Sequence, residues 1–249
     1  PIVHDLIAFR GEPHDRRPAA IDRLTLGRAV AQAPIVCTVS ASSRADLVAR
    51  YPRLDPSRVV PIFAGPTENE PEPSVPDNHT ILCVGTLCPR KNQERLIAAY
   101  AALPAKLRKT WRLVLAGGRG WDDERIIRAA KATPGVAWLE YVSDERLREL
   151  TASATVFALP SLYEGFGLPV LDAFRRGIPV LTSDRGSLKE LAGGAAFIAD
   201  PEDTASIARG LQRLLTDPIL RADLAGRGRA RAAKYSWADT VDRFLDALA

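Results

Sequence analysis

The sequence predicts an α/β fold built on parallel sheets, and three observations carry this prediction. Short, almost continuously apolar runs recur along the chain, as is typical of strands buried on both faces. Amphipathic stretches of helix length separate these runs. One stretch rich in proline and acidic residues, residues 64–79, interrupts the alternation and reads as an interdomain linker. Ligands of such sheets bind at the carboxyl ends of the strands.

The part before the linker, residues 1–63, reads as a partial N-terminal lobe. Its strand-like runs are residues 2–3, 35–39 and 59–63, and its helix-like stretches are residues 17–33 and 43–51. Ser42 or Ser43 is the expected N-cap of the second helix. Three strands and two helices make half of a doubly wound sheet. The chain contains no methionine and begins with Pro1, so we expect it to be processed or part of something longer.

The part after the linker, residues 80–234, reads as one complete lobe with regular alternation. Strands are predicted at residues 80–84, 112–116, 136–139, 155–159, 179–182 and 195–198. Helices are predicted at residues 92–103, 123–132, 144–153, 169–176, 187–192, 203–215 and 219–234. A last helix is predicted within residues 235–249.

Composition excludes several classes of protein. The net charge of +4 is mild, and the arginines near both ends are not interleaved with aromatic residues, which argues against nucleic-acid binding. These arginines form either a solvated helix face or a patch for an anionic membrane surface. No apolar run reaches the roughly 18 residues of a membrane span. Cys37, Cys83 and Cys88 lack metal-site spacing and fit a reducing compartment. We assign Asp122 and Asp123 to a helix N-terminus rather than to a metal.

The turn after the fourth strand of the complete lobe carries the strongest chemical signal. Residues 161–173 place two glycines between an apolar run and a helix that has Pro169 in its first turn. The N–H groups of such a helix start bind anions. Glu164 stands at the mouth of the turn, and Asp172 follows eight residues later. Phosphate-binding backbone beside two carboxylates suits a ligand that carries both phosphate and sugar hydroxyls.

Other strand ends add candidate groups. Gly85 allows a tight turn, and Arg90 and Lys91 follow it at the start of a helix, where cations are unfavourable unless an anion binds there too. A solvated basic turn explains these residues equally well. The glycines of residues 117–120 indicate a turn first and close approach of a ligand second. After the next strand, Ser143 is an expected N-cap, and the backbone there could meet a nucleotide base. His4 closes the first strand and would face the cleft between lobes.

Several segments together resemble the retaining glycosyltransferases of family 4, which have the GT-B fold of two facing Rossmann-like lobes. These segments are VGTLCPRKN at residues 84–92, LPSLYEGFGLPVLDA at 159–173, VLTSDRGSLKELAGGAAFIADPED at 180–203 and YSW at 235–237. Two further segments resemble the end of the N-terminal lobe in that family: HDL at residues 4–6 and TVSASSRADL at 38–47. By this comparison, the sequence lacks the first part of that lobe. The resemblance implies that the C-terminal lobe binds a nucleotide-diphosphate sugar and the N-terminal lobe an acceptor. It also implies that the last helix, within residues 235–249, crosses back to the N-terminal lobe.

The resemblance also implies roles for individual residues. Lys91 and Arg90 would hold the diphosphate, Glu164 the donor sugar, and Asp172 the ribose, while His4 would lie near the anomeric centre. Glu164 and His4 are thus the expected catalytic pair. The remaining expected donor-binding residues are Gly85, Thr86, Val142, Phe166, Gly167 and Leu168. Two departures are Thr86, where the family often has arginine, and Asp172, which is shorter than the usual glutamate.

The implied activity is metal-independent transfer of a hexose to a glycan or lipid-linked acceptor in bacterial surface-polysaccharide synthesis. No cofactor is expected. GDP-mannose is the first donor suggested by the resemblance, and a UDP-sugar is the second. The implied location is the cytoplasm, with peripheral contact to the inner membrane. A sugar-nucleotide epimerase or phosphorylase of the same fold, and a non-catalytic nucleotide-sugar-binding protein, remain open alternatives.

Overall fold

The structure of the protein is a computed structural model, which describes residues 1–10, 16–67 and 78–249. Most of the linker predicted at residues 64–79 therefore lies outside the described residues. The described chain forms two parallel sheets covered by helices, which confirms the predicted α/β class. No helix in these three ranges combines the length and apolar character needed to cross a bilayer.

The first sheet contains three parallel strands in the order β1 (Ile2–Val3), β2 (Val36–Thr38) and β3 (Val59–Pro61). Strand β2 lies in the middle and is buried along its whole length. Helices α1 (Arg16–Gln32) and α2 (Ala41–Arg50) connect the strands. Helix α2 begins two residues earlier than predicted because Ser40, rather than Ser42 or Ser43, is its N-cap; the Ser40 hydroxyl accepts a hydrogen bond from the Ser43 N–H.

The second sheet contains six parallel strands in the order β6-β5-β4-β7-β8-β9. These are β4 (Thr80–Val84), β5 (Arg112–Ala116), β6 (Val136–Trp138), β7 (Val156–Leu159), β8 (Val180–Thr182) and β9 (Phe197–Ile198). The chain runs outward from β4 to β6 and then returns to β7 on the other side of β4. The carboxyl ends of β4 and β7 therefore flank the switch point of the sheet, where a crevice forms.

Helices cover both faces of the second sheet. They are α3 (Gln93–Ala101), α4 (Ala105–Thr110), α5 (Glu124–Ala132), α6 (Asp144–Ser153), α7 (Leu168–Arg175), α8 (Ser187–Ala192), α9 (Thr204–Thr216) and α10 (Pro218–Ala232), and the chain then continues into α11 (Trp237–Leu248). The sequence prediction missed α4, whose six residues are too few to show an apolar period. Its last turn carries Arg108 and Lys109, which suits a helix C-terminus.

The loops after β4 and β5 pack against each other backbone to backbone. A Cβ atom on Gly117 would collide with the carbonyl oxygen of Gly85, and one on Gly120 with that of Leu87. The N–H of Leu87 donates to the carbonyl of Gly118 over 3.0 Å. The glycines of residues 117–120 thus serve the close approach of two loops.

Helix α11 begins against the segment that follows β3. The indole N–H of Trp237 donates to the carbonyl of Pro66 over 2.8 Å, and the guanidinium of Arg243 lies 5.1 Å from the Phe63 ring centroid. The Phe63 ring also meets Tyr235 edge-on at 6.1 Å. The last residues of the chain therefore contact the part that contains the first sheet.

Candidate active site

The turn between β7 and α7 forms an open helix start at the switch point of the second sheet. Gly167 occupies the N-cap position with a φ of 102°, and Pro169 lies in the first turn of α7 as predicted. Among hydrogen bonds between described residues, none uses the N–H of Gly167 or Leu168 as donor. These two N–H groups and the positive end of the helix dipole are available to an anion.

Glu164 lies in this turn with only 7% of its surface exposed, and its carboxylate forms ion pairs with two cations. Lys91 Nζ is 2.8 Å from Oε1, and a guanidinium nitrogen of Arg90 is 2.8 Å from Oε2. The hydroxyl of Ser161 donates to Oε1 over 2.7 Å. The Glu164 carbonyl accepts a hydrogen bond from the Ser187 hydroxyl over 3.0 Å. Both the side chain and the backbone of Glu164 are therefore fixed.

Glu164 is ionised at neutral pH in spite of its burial. Burial alone would raise its pKa, but the charges of Lys91 and Arg90 and the hydrogen bonds from Lys91 and Ser161 outweigh burial and hold the pKa below its ordinary value. The same contact acts on Arg90: burial lowers its pKa, but the charge of Glu164, the hydrogen bond to Glu164 and smaller contributions, Asp5 among them, together outweigh burial and raise the pKa.

Arg90 and Lys91 lie in a short 3-10 turn (Pro89–Lys91). The sequence had suggested the first turn of α3 instead. Asn92 follows with a φ of 62° and separates this turn from the helix. Its side-chain amide donates to the carbonyls of Pro160 and Pro201 over 2.9 and 2.7 Å, which ties the basic turn to the end of β7. Lys91 also packs over Gly85, where a Cβ atom would lie 3.2 Å from the Lys91 Cε.

A cavity of about 420 Å³ opens between the two sheets, and Lys91 and Glu164 lie in its wall. His4, at the end of β1, also lines this cavity and is exposed. Gly165 packs directly on the end of β1, since a Cβ atom there would collide with the His4 carbonyl oxygen. Trp237 of α11 also lines the cavity. The structure thus brings the two expected catalytic residues, His4 and Glu164, to one cavity.

A second cavity of about 310 Å³ lies between α6 and α7 and shares Leu168 and Pro169 with the first. Asp172 lines it, but its carboxylate is engaged. The N–H and the hydroxyl of Thr67 donate to its two oxygens over 2.8 and 2.7 Å. Sequence reasoning missed this contact because Thr67 lies 105 residues away, in the predicted linker.

The other expected donor-binding residues lie around these cavities with different exposure. Phe166 is buried and lines the first cavity, with its ring edge-on to Tyr235 at 5.7 Å. Thr86 is exposed, and its carbonyl accepts a hydrogen bond from the Gln93 amide over 3.1 Å. Val142 is half-buried beside Ser143, the N-cap of α6 as predicted. Neither Thr86 nor Val142 lines the two cavities just described.

The remaining titratable candidates have local structural roles. The Asp123 carboxylate accepts from the Arg119 guanidinium over 3.0 and 2.8 Å and from the Gly120 N–H over 3.1 Å. Asp123 lies at the N-cap position of α5, as predicted, but its side chain makes no capping hydrogen bond and instead braces the preceding loop. Within the described ranges, no group of three His, Cys, Asp or Glu side chains could hold a metal ion.

The three cysteines are free and buried: Cys37, Cys83 and Cys88. The pKa of Cys83 is raised to about 12, mainly by burial, so this thiol is protonated at neutral pH. Burial also raises the pKa of Cys37. Cys37 and Cys83 lie in strands and serve there as small apolar side chains.

Comparison with known proteins agrees with this geometry. Residues 66–231 match the family model described as glycosyl transferases group 1. The O-antigen chain mannosyltransferase B of Escherichia coli is 38% identical over 169 residues, which cover 67% of this chain and 44% of that protein. The MMP alpha-(1->4)-mannosyltransferase of Mycolicibacterium hassiacum is 31% identical over 232 residues, or 89% of this chain and 56% of that protein. The chain thus spans about half the length of these two relatives.

Solved structures show the fold. Sucrose-phosphate synthase from Thermosynechococcus elongatus superposes with a TM-score of 0.80 and 24% identity, covering 100% of this chain and 68% of that one. HepE of Anabaena, solved in complex with UDP and glucose, gives a TM-score of 0.80 at 20% identity, covering 99% of this chain and 70% of that one. The two sheets correspond to the second lobe and part of the first lobe of a GT-B fold. On its match over residues 66–231, the chain belongs to the glycosyl transferases group 1 family.

Proposed function

We propose that this protein provides the donor-binding lobe and part of the acceptor lobe of a retaining glycosyltransferase. The enzyme transfers a hexose from a nucleotide-diphosphate sugar to a glycan or lipid-linked acceptor. One observation carries the proposal: Lys91, the buried Glu164 carboxylate and the open start of α7 line the cavity between the sheets, and Arg90 contacts the same carboxylate.

The leaving diphosphate is the group that this wall suits best. Lys91, Arg90 and the N–H groups at the start of α7 offer positive charge at fixed positions, so little reorganisation is needed when charge develops on the leaving group. The Glu164 carboxylate forms ion pairs with both side-chain cations. A diphosphate takes over that contact, and the charge that a metal ion supplies in other transferases comes here from side chains.

Glu164 and His4 act on the sugar side of the same cavity. Glu164, released from part of its ionic contact, accepts hydrogen bonds from the hydroxyls of the donor hexose. His4 lines the same cavity, and its proposed place is near the anomeric centre. The acceptor hydroxyl attacks from the face that the diphosphate leaves, with a phosphate oxygen taking its proton; the bond from the anomeric carbon to the phosphate oxygen breaks as the new glycosidic bond forms.

The nucleoside binds in the second cavity. Asp172 binds the ribose hydroxyls there. Gly85, Thr86 and Val142 lie outside the lining of both cavities, and their backbone contacts the parts of the diphosphate and base that extend beyond it. Leu168 and Pro169, which the two cavities share, connect the nucleoside with the sugar. Thr67 already donates to both Asp172 oxygens, so ribose either displaces it or uses the remaining lone pairs.

GDP-mannose is the proposed donor, and a UDP-sugar is the second choice. Two relatives whose names describe mannosyltransferases support the first, and the HepE complex with UDP and glucose supports the second. The name of the Escherichia coli relative refers to O-antigen chains, which supports a surface-polysaccharide acceptor. We place the reaction in the cytoplasm, where arginines near both ends of the chain allow contact with an anionic inner-membrane surface.

Calorimetric titration with GDP-mannose and UDP-glucose, followed by a transfer assay, tests this function. We expect saturable binding of one donor and, with acceptor present, a product whose NMR spectrum shows the anomeric configuration of the donor. Binding without transfer would favour a non-catalytic sugar-nucleotide-binding protein. Isomerised sugar formed from donor alone would favour an epimerase.

A further inference from the structure

Helix α2 of the first sheet contacts the second half of the molecule at three places. The first contact is at the start of the helix, where the Glu190 carboxylate of α8 accepts hydrogen bonds from the N–H groups of Ala41 and Ser42 over 3.3 and 3.1 Å. A carboxylate at a helix N-terminus is stabilised by the helix dipole and the unpaired N–H groups. This acid comes from a distant part of the chain, 148 residues beyond Ser42.

The second contact joins the two sheets next to the expected catalytic residues. Ser43 is fully buried, and its hydroxyl lies 3.0 Å from the His4 carbonyl oxygen and 3.3 Å from that of Gly165. It also accepts a hydrogen bond from the Ser40 hydroxyl over 3.0 Å. One hydroxyl of α2 thus bridges the backbone of His4 and of the residue that follows Glu164.

The third contact lies one turn further along α2. The Tyr163 hydroxyl donates to Asp46 over 2.7 Å, and the Arg10 guanidinium pairs with the other Asp46 oxygen at 3.1 Å. Arg10 also lies 4.6 Å from the centroid of the Tyr163 ring, which is buried. Burial and the neighbouring Asp46 raise the pKa of Tyr163, so its hydroxyl remains a donor at neutral pH.

These contacts hold Tyr163 and Gly165, the residues on either side of Glu164, and they hold His4 as well. We propose that α2 is a positioning element, which sets the distance between His4 and Glu164 through Glu190, Ser43 and the Tyr163–Asp46 hydrogen bond. The proposal rests on the function proposed above. None of these groups needs to touch substrate; they act through the two residues that do.

The two hydrophobic cores explain why this role differs from simple stabilisation. Val3, Val36 and Leu47 belong to a core around the first sheet, whereas the core around the second sheet also includes Val39 and Ala64. The three contacts of α2 join the two halves across sequence separations of 117 to 149 residues. Their loss leaves both cores in place and allows α2 to shift against the turn that carries Glu164, while the contacts of Phe63 and Pro66 with Tyr235 and Trp237 remain.

Kinetics of Y163F, E190Q and the double variant test the proposal. We expect kcat to fall by up to about a hundredfold in the double variant, the cost of roughly 1 Å of misplacement, while the donor Kd is unchanged. The control is E149Q, which breaks an exposed ion pair with Arg146 on α6 and should leave kcat unchanged. Loss of donor affinity in parallel with kcat would indicate a disturbed donor site and overturn the proposal.

A distance measurement tests the same proposal without activity. Arg53 in the first half and Gln212 in α9 are exposed, and the three native cysteines are buried, so R53C and Q212C can be spin-labelled selectively. Double electron–electron resonance measures the distance between the two labels. The parent that carries only R53C and Q212C should give one narrow distance distribution, and the addition of Y163F and E190Q should broaden it. An unchanged distribution would overturn the proposal. Should the parent lack transferase activity, the proposed function fails, and the distance distributions still test the role of α2.

Discussion

The two carboxylates that frame α7 differ in how the protein holds them. Glu164, before the helix, is 7% exposed and lies 2.8 Å from each of two cations. Asp172, inside the helix, is more exposed and is held by the N–H and hydroxyl of the neutral residue Thr67. Two cations contact the first acid directly, whereas the N–H and the hydroxyl of one threonine contact the second.

This difference separates fixed from adjustable parts of the site. Around Glu164 the charges are in place before ligand arrives, and a diphosphate must exchange with a carboxylate that already binds Lys91 and Arg90. Around Asp172 a water or ribose hydroxyl can replace Thr67 at low cost. We therefore expect substitutions near Glu164 to have large effects on reaction and stability, and substitutions near Asp172 to have small ones.

The largest effect is expected for K91A. Loss of the ammonium removes one donor to the leaving diphosphate, and kcat/KM should fall by about 10²- to 10³-fold, as for other preorganised oxyanion donors. K109A, in the last turn of α4, removes an exposed lysine away from the site and serves as the control. Unchanged kcat/KM in K91A would exclude Lys91 from phosphate binding.

The second effect is on stability as a function of pH. The pKa of Glu164 is held below its ordinary value of 4.5, so its ion pairs stabilise the folded state above that pH and are lost as the pH falls through the lowered pKa. E164Q should be less stable at pH 7 by about 2 kcal/mol, the size of a hydrogen bond to a charged group.

Urea unfolding from pH 7 to pH 3 measures this effect. The difference in free energy of unfolding between the unmodified chain and E164Q should be constant down to about pH 5 and shrink below pH 4.5 as Glu164 takes up a proton. A difference independent of pH over the whole range would contradict the ionic contact.

E164Q should also change the binding of a nucleoside diphosphate without sugar. The carboxylate competes with phosphate for Lys91 and Arg90, so its neutralisation should tighten GDP binding by about tenfold, or about 1.4 kcal/mol, while transfer declines. Calorimetry of GDP against both forms measures this. Weaker GDP binding by E164Q would show that the carboxylate supports the anion site rather than competing with its ligand.

The smallest effect is expected for D172A. Removal of one ribose contact should weaken nucleotide binding by about 1 kcal/mol, or about fivefold in Kd, because a single hydrogen bond exchanged with water contributes little. T67A is the matched control, since it removes the hydroxyl donor and leaves Asp172 intact. A loss in D172A as large as that in K91A would remove the distinction between the two carboxylates.

Much of the fold was predictable from sequence because its signals are local. The strand bounds of β4 and β5 agree with their continuous apolar runs, and α6 begins at its predicted N-cap, Ser143. The two-residue strand β9 and the cap at Ser40 were placed less well, since tertiary contacts decide between neighbouring serines or between strand and coil.

The individual residues of the site were predictable from sequence, but the contacts between them were not. Glu164, Lys91 and His4 all lie at strand ends, where parallel sheets collect functional groups, and all line one cavity. The ion pairs of Glu164 and the Thr67–Asp172 hydrogen bonds join residues 73 to 105 positions apart. No local pattern encodes such contacts; they follow from how the loops after β4 and β7 fold against each other.

A crystal structure of the chain with bound GDP is the most direct measurement of the central claim, that a diphosphate binds between Lys91 and the start of α7. We expect phosphate oxygens about 3 Å from Lys91 Nζ and from the N–H of Leu168, with the Glu164 carboxylate moved away from Lys91. A diphosphate bound elsewhere, with the Lys91–Glu164 contact intact and Gly167 facing away from it, would contradict that claim.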